Sequence, residues 1–138
     1  MILVDANVLS EVTKSEPSEA VLAWLVRHER ELVVDPLILG EIRFGILLLP
    51  EGARRKRLDR WYEGTVERIH CLPWDATHGV RWADLLAELR GRGQVMPIKD
   101  SLIAATALTH GIPLATRNRR DFEKAGVELV DPFDANAL

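Results

Sequence analysis

A chain of 138 residues, 47% of them hydrophobic and with a formal charge of −3, can bury one respectable core and is too short for two ordinary ones, so a single domain over residues 1–138 is expected. The acidic balance carries no global mark of nucleic-acid binding. No apolar run approaches the ~18 residues of a membrane span and no secretory leader opens the sequence, so a cytoplasmic protein is expected. The single cysteine, Cys71, leaves neither a disulfide framework nor a cysteine-based zinc site and reads as core filler.

In chain order, MILVDANVLSE begins with Ile2, Leu3 and Val4, branched apolar residues without polar alternation, which predicts a short strand buried on both faces. Asp5 stands at its exit, where it either caps the helix resuming at Val8 and Leu9 or does chemistry. SEAVLAWLVRHE carries a helical stripe of Val21, Trp24, Leu25 and His28. ELVVD is a second strand, LILGEIRFGILLLP a helix closed by Pro50 and Gly52, and residues 54–67 a charged helix. RIHCL is a third strand, DATHGVRWADLLAELRGRG a helix ending in glycines, and PIKDSLIAATALTHG a helix stopped by Gly111 and Pro113. PLAT and VELV supply the last strands, around a short helix at residues 121–125. Short buried strands alternating with helices predict an open parallel α/β sheet, whose ligands bind at the carboxyl ends of the strands.

Carboxylates fall where they are expensive. Glu41 shares a predicted core-facing stripe with Leu37, Ile38, Ile42 and Gly45, so it must be paired, neutralised or coordinated. Asp100 begins the stripe Ile103, Ala104, Ala107 and Leu108, as a cap or as a ligand. In ATRNRRDF, Thr116, Asn118 and Asp121 leave a strand through a turn in which Asn118 can cap the short helix. Converging carboxylates repel unless a cation joins them, and oxygen ligands select Mg²⁺ or Mn²⁺ over zinc. Such a cluster suits phosphodiester hydrolysis by activated water. No G-x-S-x-G elbow, P-loop or G-x-G-x-x-G competes, and His28, His70, His78 and His110 lack metal-ligand spacing and read as helix-face or helix-end residues.

Together MILVDANVLSE, the GEIRFGI helix and PIKDSLIAATALTHGIPLATRNRRDF resemble the PIN-domain ribonucleases, most closely the VapC and FitB-like toxins of bacterial toxin–antitoxin pairs, over essentially the whole chain. The resemblance implies a three-layer α/β fold with about five parallel strands, and a Mg²⁺- or Mn²⁺-dependent endoribonuclease. It also implies a homodimer held inactive by a cognate antitoxin, touching DNA only through that antitoxin. Residue by residue, it makes Asp5, Glu41 and Asp100 the first three acids of the site. Asn118 stands where many members carry a fourth acid; Asp121 is the nearest carboxylate able to substitute and to complete the metal ligands with those three. Asn7 and Thr116 match supporting polar positions. Two other readings differ in class. A haloacid-dehalogenase phosphatase would need an acid where Asn7 stands, and a catalytically impaired PIN scaffold binding a partner or RNA would account for Asn118 and the acidic charge. Trp24 and the arginine-rich helix are the expected dimer or antitoxin surface.

Overall fold

The structure is a computed structural model and describes residues 1–134. Its strands are β1 (Ile2–Val4), β2 (Leu32–Val34), β3 (His70–Cys71), β4 (Leu114–Ala115) and β5 (Leu129–Val130); its helices are α1 (Ala6–Leu9), α2 (Glu19–Arg27), α3 (Pro36–Leu47), α4 (Ala53–Gly64), α5 (Ala76–Gly91), α6 (Ile98–His110) and α7 (Arg119–Phe122). All strand pairs are parallel, in the order β3-β2-β1-β4-β5. This is the open parallel α/β sheet expected above. Leu3, Val4, Val33, Val34, Leu114 and Ala115 are all buried, which is why the strands read as unbroken apolar runs. Each fully buried Leu or Val contributes about 1.5–3 kcal/mol of transfer free energy.

The chain moves from β1 outward through β2 to β3, then returns to the other side of β1 for β4 and β5. The order therefore reverses between β1 and β4, the place where an open α/β sheet leaves a crevice at its carboxyl edge. Asp5 follows β1 and Thr116 follows β4, so topology alone brings together residues far apart in sequence.

Local chemistry sets the helix boundaries. Ser18 accepts from the Val21 N–H at 3.4 Å to start α2, Asp35 accepts from the Ile38 N–H at 2.9 Å to start α3 with Pro36 at its first position, and Gly111, at φ 61°, ends α6. The inner face of α6 is small and buried: Ser101, Ala104, Ala105, Thr106 and Ala107. It lies against α5, and two indole N–H groups join the pair, Trp82 to Ser101 at 2.9 Å and Trp74 to Thr106 at 3.1 Å.

Two expectations need correction. Trp24 is only 2% exposed; it shares the inward stripe of α2 with Val21 and is core, so it offers no docking surface. The buried stripe of α3 is Ile38, Ile42 and Ile46, while Gly45 is exposed and Leu37 half-buried. Glu41 consequently borders the core instead of pointing into it. Cys71 is half-buried on β3, and burial pushes its thiol up, as suits inert filler.

Candidate active site

Asp5 is 5% exposed and accepts three hydrogen bonds. Its Oδ1 takes the Ala6 N–H at 2.8 Å, and its Oδ2 takes the Thr116 hydroxyl at 2.7 Å and the Asn7 amide at 3.3 Å. The capping reading is thus correct as far as it goes, since Asp5 is the N-cap of α1. Capping does not account for the rest. Burial pushes the Asp5 carboxyl up against the pull of these bonds, the Lys99 ammonium lowers it and the Asp121 charge raises it again. A cap needs one acceptor; this carboxylate is held by β4 as well as by its own turn.

Glu41, on α3, has its carboxyl raised first by burial and then by the Asp5 charge; Lys99 opposes this and Asp100 adds to it. Its Oε2 lies 3.3 Å from the Lys99 ammonium. Its Oε1 is buried and has no hydrogen-bond partner among the described residues. An orphaned carboxylate oxygen beside other acids is costly unless a cation serves it. Asp100, in the first turn of α6, makes no capping bond: the N-cap is Pro97. Burial raises its carboxyl, Lys99 lowers it, and Asp121 and Asp5 raise it further.

Asp121 is exposed on α7 and electrostatically close enough to raise both Asp5 and Asp100. No ion pair joins it to Arg117 among the described residues; Arg117 instead lies over the Phe133 ring, 4.5 Å from its centroid. Asn118 occupies the N-cap position of α7 without a side-chain capping bond. It joins the cluster through its backbone N–H, which donates to Thr116 Oγ1 at 3.0 Å. Thr116, fully buried, therefore accepts a hydrogen bond from the Asn118 backbone N–H and donates one to Asp5. Asn7 links the same parts from the other side: its side-chain oxygen accepts from the Arg117 N–H at 3.3 Å while its amide donates to Asp5.

Of the seven residues singled out in the sequence, Asp5, Asn7, Thr116 and the Asn118 backbone are joined by hydrogen bonds where β1 and β4 end, and Glu41, Asp100 and Asp121 are linked to Asp5 by charge alone. Sequence reading missed Lys99, which is electrostatically coupled to Asp5, Glu41 and Asp100. A signal was present: a lysine in the first turn opposes the helix dipole, so an anion should face it. No three His, Cys, Asp or Glu side chains among the described residues are drawn together as a ready metal cage. The donors nevertheless fit a hard cation, being all oxygen, mutually repelling and including an unserved buried atom.

Beside the acids opens a groove of about 250 Å³ bordered by Asn7, Ser10, Glu41, Gly45, Arg54 and Trp61. Arg54, Trp61 and, further along α4, Arg57 also border the adjoining cleft with Lys14. Arg54 and Arg57 thus stand beside the acidic centre, in a cleft that Glu16 also borders and whose Lys14 pairs with Glu11 at 2.8 Å.

An all-parallel sheet with acids at its switch point defines a class, and the PIN domain family profile matches residues 2–128. The VapC ribonuclease Y4jK of Sinorhizobium fredii is 38% identical, covering 97% of this chain and 99% of that protein. Toxin FitB of Neisseria gonorrhoeae is 31% identical over 96% of this chain and 99% of its own. The solved structure of FitAB bound to a DNA fragment superposes with a TM-score of 0.89 at 30% identity, covering 96% of each chain. The chain belongs to the PIN-domain family, among the VapC and FitB toxins.

Proposed function

We propose that the protein is the toxin of a toxin–antitoxin pair, an endoribonuclease that hydrolyses RNA with Mg²⁺ or Mn²⁺ held by Asp5, Glu41, Asp100 and Asp121. The observation that carries this reading is the mutual coupling of these acids at the switch point, with Glu41 Oε1 unserved. Names of similar proteins support it: a VapC ribonuclease and toxin FitB. When bound, a divalent ion would neutralise the carboxylates and lower the pKa of a water for attack on phosphorus.

The protein's own groups do the rest. Thr116 and the Ala6 N–H fix the Asp5 carboxylate, so that its orientation is set before ion or RNA arrives. Asn7 and the Asn118 backbone tie the two sides of the crevice together. Lys99 holds Glu41 at 3.3 Å, and a bound cation would compete with it for the same carboxylate. Arg54 and Arg57 offer the phosphate backbone a path away from the acids, where contacts position the strand without reading its sequence. A cognate antitoxin covers the same groove, and DNA is met only through it. Phe44, Leu47 and Leu48, exposed on and just beyond α3, are the apolar residues available to a homodimer contact.

The test is cleavage of single-stranded RNA by purified protein with Mg²⁺, Mn²⁺ or EDTA. Metal-dependent cleavage is expected. Undiminished cleavage in EDTA would overturn the mechanism, and binding without cleavage under any ion would leave the impaired-scaffold reading instead.

A further inference from the structure

Lys99 places an ammonium among the acids of the crevice. Its Nζ lies 3.3 Å from Glu41 Oε2, and its charge pulls down the carboxyls of Asp5, Glu41 and Asp100 alike. Helix stability does not ask for a lysine at this position: it stands in the first turn of α6, where the dipole favours negative charge. Nor does the pair with Glu41 account for it fully. The Lys99 side chain is 53% exposed, and water screens an ion pair in such a place.

The two oxygens of Glu41 have different surroundings. Oε2 holds Lys99, while Oε1 is buried and has no hydrogen-bond partner among the described residues. The buried oxygen suits a small hard cation; the other keeps the half-exposed lysine at the rim. Positive charge added among these carboxylates loosens their hold on the ammonium, because it cancels part of the field that attracts it. The flexible four-carbon stem then lets the ammonium turn to another anion without moving the backbone. RNA brings such an anion. A phosphodiester reaching the acids from solvent restores to Lys99 the negative charge that neutralised carboxylates no longer supply.

We propose that Lys99 is a catalytic residue, paired with Glu41 in the free protein and turned to a non-bridging oxygen of the phosphate under attack during cleavage. The proposal rests on the ribonuclease reading and extends it. In the reaction a water oxygen forms a bond to phosphorus and one P–O ester bond breaks; the water gives up a proton to solvent and the leaving oxygen gains one from it. Lys99 transfers no proton. Its ammonium faces charge that grows on the phosphoryl oxygens in the transition state, so it raises the rate constant more than the affinity. Arg54, on the groove, differs in this respect, since contacts to phosphates away from the scissile one hold ground and transition states equally.

The experiment compares full-length wild type with Lys99→Gln and Lys99→Arg. Mg²⁺ affinity is measured by calorimetry without RNA, and single-turnover cleavage of single-stranded RNA is measured at saturating Mg²⁺ and RNA. Lys99→Gln is expected to bind Mg²⁺ severalfold tighter and yet to cleave about tenfold slower or more, and Lys99→Arg to recover most of the rate. These opposite movements separate contact with phosphate from competition with the ion alone. A Lys99→Gln rate equal to or above wild type, unchanged Mg²⁺ affinity, or equal loss of rate in Lys99→Arg overturns the proposal and leaves the nuclease reading standing. If wild type itself leaves RNA intact with Mg²⁺ and Mn²⁺, both fall. Wild-type protein also tests the proposal without any variant: the ¹⁵N signal of the Lys99 ammonium should shift on addition of Mg²⁺ and again when inorganic phosphate follows, and a signal that ignores phosphate overturns it.

Discussion

Replacing Thr116 by valine removes one hydroxyl and almost no volume, so it isolates the bond that holds Asp5. The residue is fully buried, and valine should create neither cavity nor strain. Lost are the 2.7 Å donation to Asp5 Oδ2 and the acceptor of the Asn118 N–H. A hydrogen bond to a charged group is worth about 1.5–3 kcal/mol, whereas the Asn118 N–H, on an exposed residue, can turn to water at little cost. A loss of about 2 kcal/mol at pH 8 follows, or roughly 6–8 °C in melting temperature for a chain of this size. The penalty should also depend on pH. Burial already holds the folded Asp5 carboxyl above its ordinary value while Thr116 pulls it down, so the variant's carboxyl lies higher still. A raised carboxyl contributes stability that is complete below the unfolded value near 3.9 and is lost as pH rises through the folded value. The variant binds its proton over a wider range, so its deficit should be small near pH 4 and grow with pH until both folded carboxyls are ionised. Urea melts in EDTA between pH 4 and 8 measure this. A deficit independent of pH, or one below about 0.5 kcal/mol throughout, would refute the charge-assisted bond.

How far the site was legible in the sequence is clearest from Asp5 and Asp35. LVDA and VVDP are the same pattern, a buried strand ending in an aspartate that opens a helix. Asp35 is fully buried, caps α3, and accepts from Thr106 Oγ1 at 2.7 Å; it is spent on packing α6 against the sheet. Asp5 instead faces the crevice, because β1 borders the strand-order reversal and β2 does not. Nothing local distinguishes them. The partners of each lie 71 and 111 residues away, beyond the reach of periodicity or capping rules, and only the family resemblance separates them at the level of sequence. Strands and helices were legible because parallel strands buried on both faces leave unbroken apolar runs and because Pro, Gly, Ser and Asp mark the boundaries. Glu41 was placed on the correct helix and slightly wrongly around it, since a helical wheel gives the apolar direction but not where the core ends. The contact of His78 with His110, whose Nε2 atoms lie 3.2 Å apart, was illegible, because it joins positions far apart in sequence and depends on how α5 packs on α6.

Asp5→Asn should abolish RNA cleavage and melt below wild type in EDTA at pH 8, because the amide nitrogen that replaces Oδ2 cannot accept the Thr116 hydroxyl and relief of one repelling charge offsets only part of that loss; cleavage retained would reduce Asp5 to a cap. Lys99→Met should lower the metal-free melting temperature at pH 8, by leaving Glu41 without its 3.3 Å partner, and should make Mg²⁺ stabilise the protein more than it stabilises wild type. Equal responses to Mg²⁺ would remove Lys99 from the competition for Glu41. Asp121 and Asn118 should respond unequally, because Asp121 already raises the carboxyls of Asp5 and Asp100, whereas among the described residues Asn118 meets the cluster through its backbone N–H. Asp121→Asn should raise severalfold the Mg²⁺ needed for half-maximal cleavage, and Asn118→Asp should lower it by adding a charge at the rim. If Mg²⁺ titrations of both variants overlay wild type, neither residue serves the ion, and Asp5, Glu41 and Asp100 must hold it unaided.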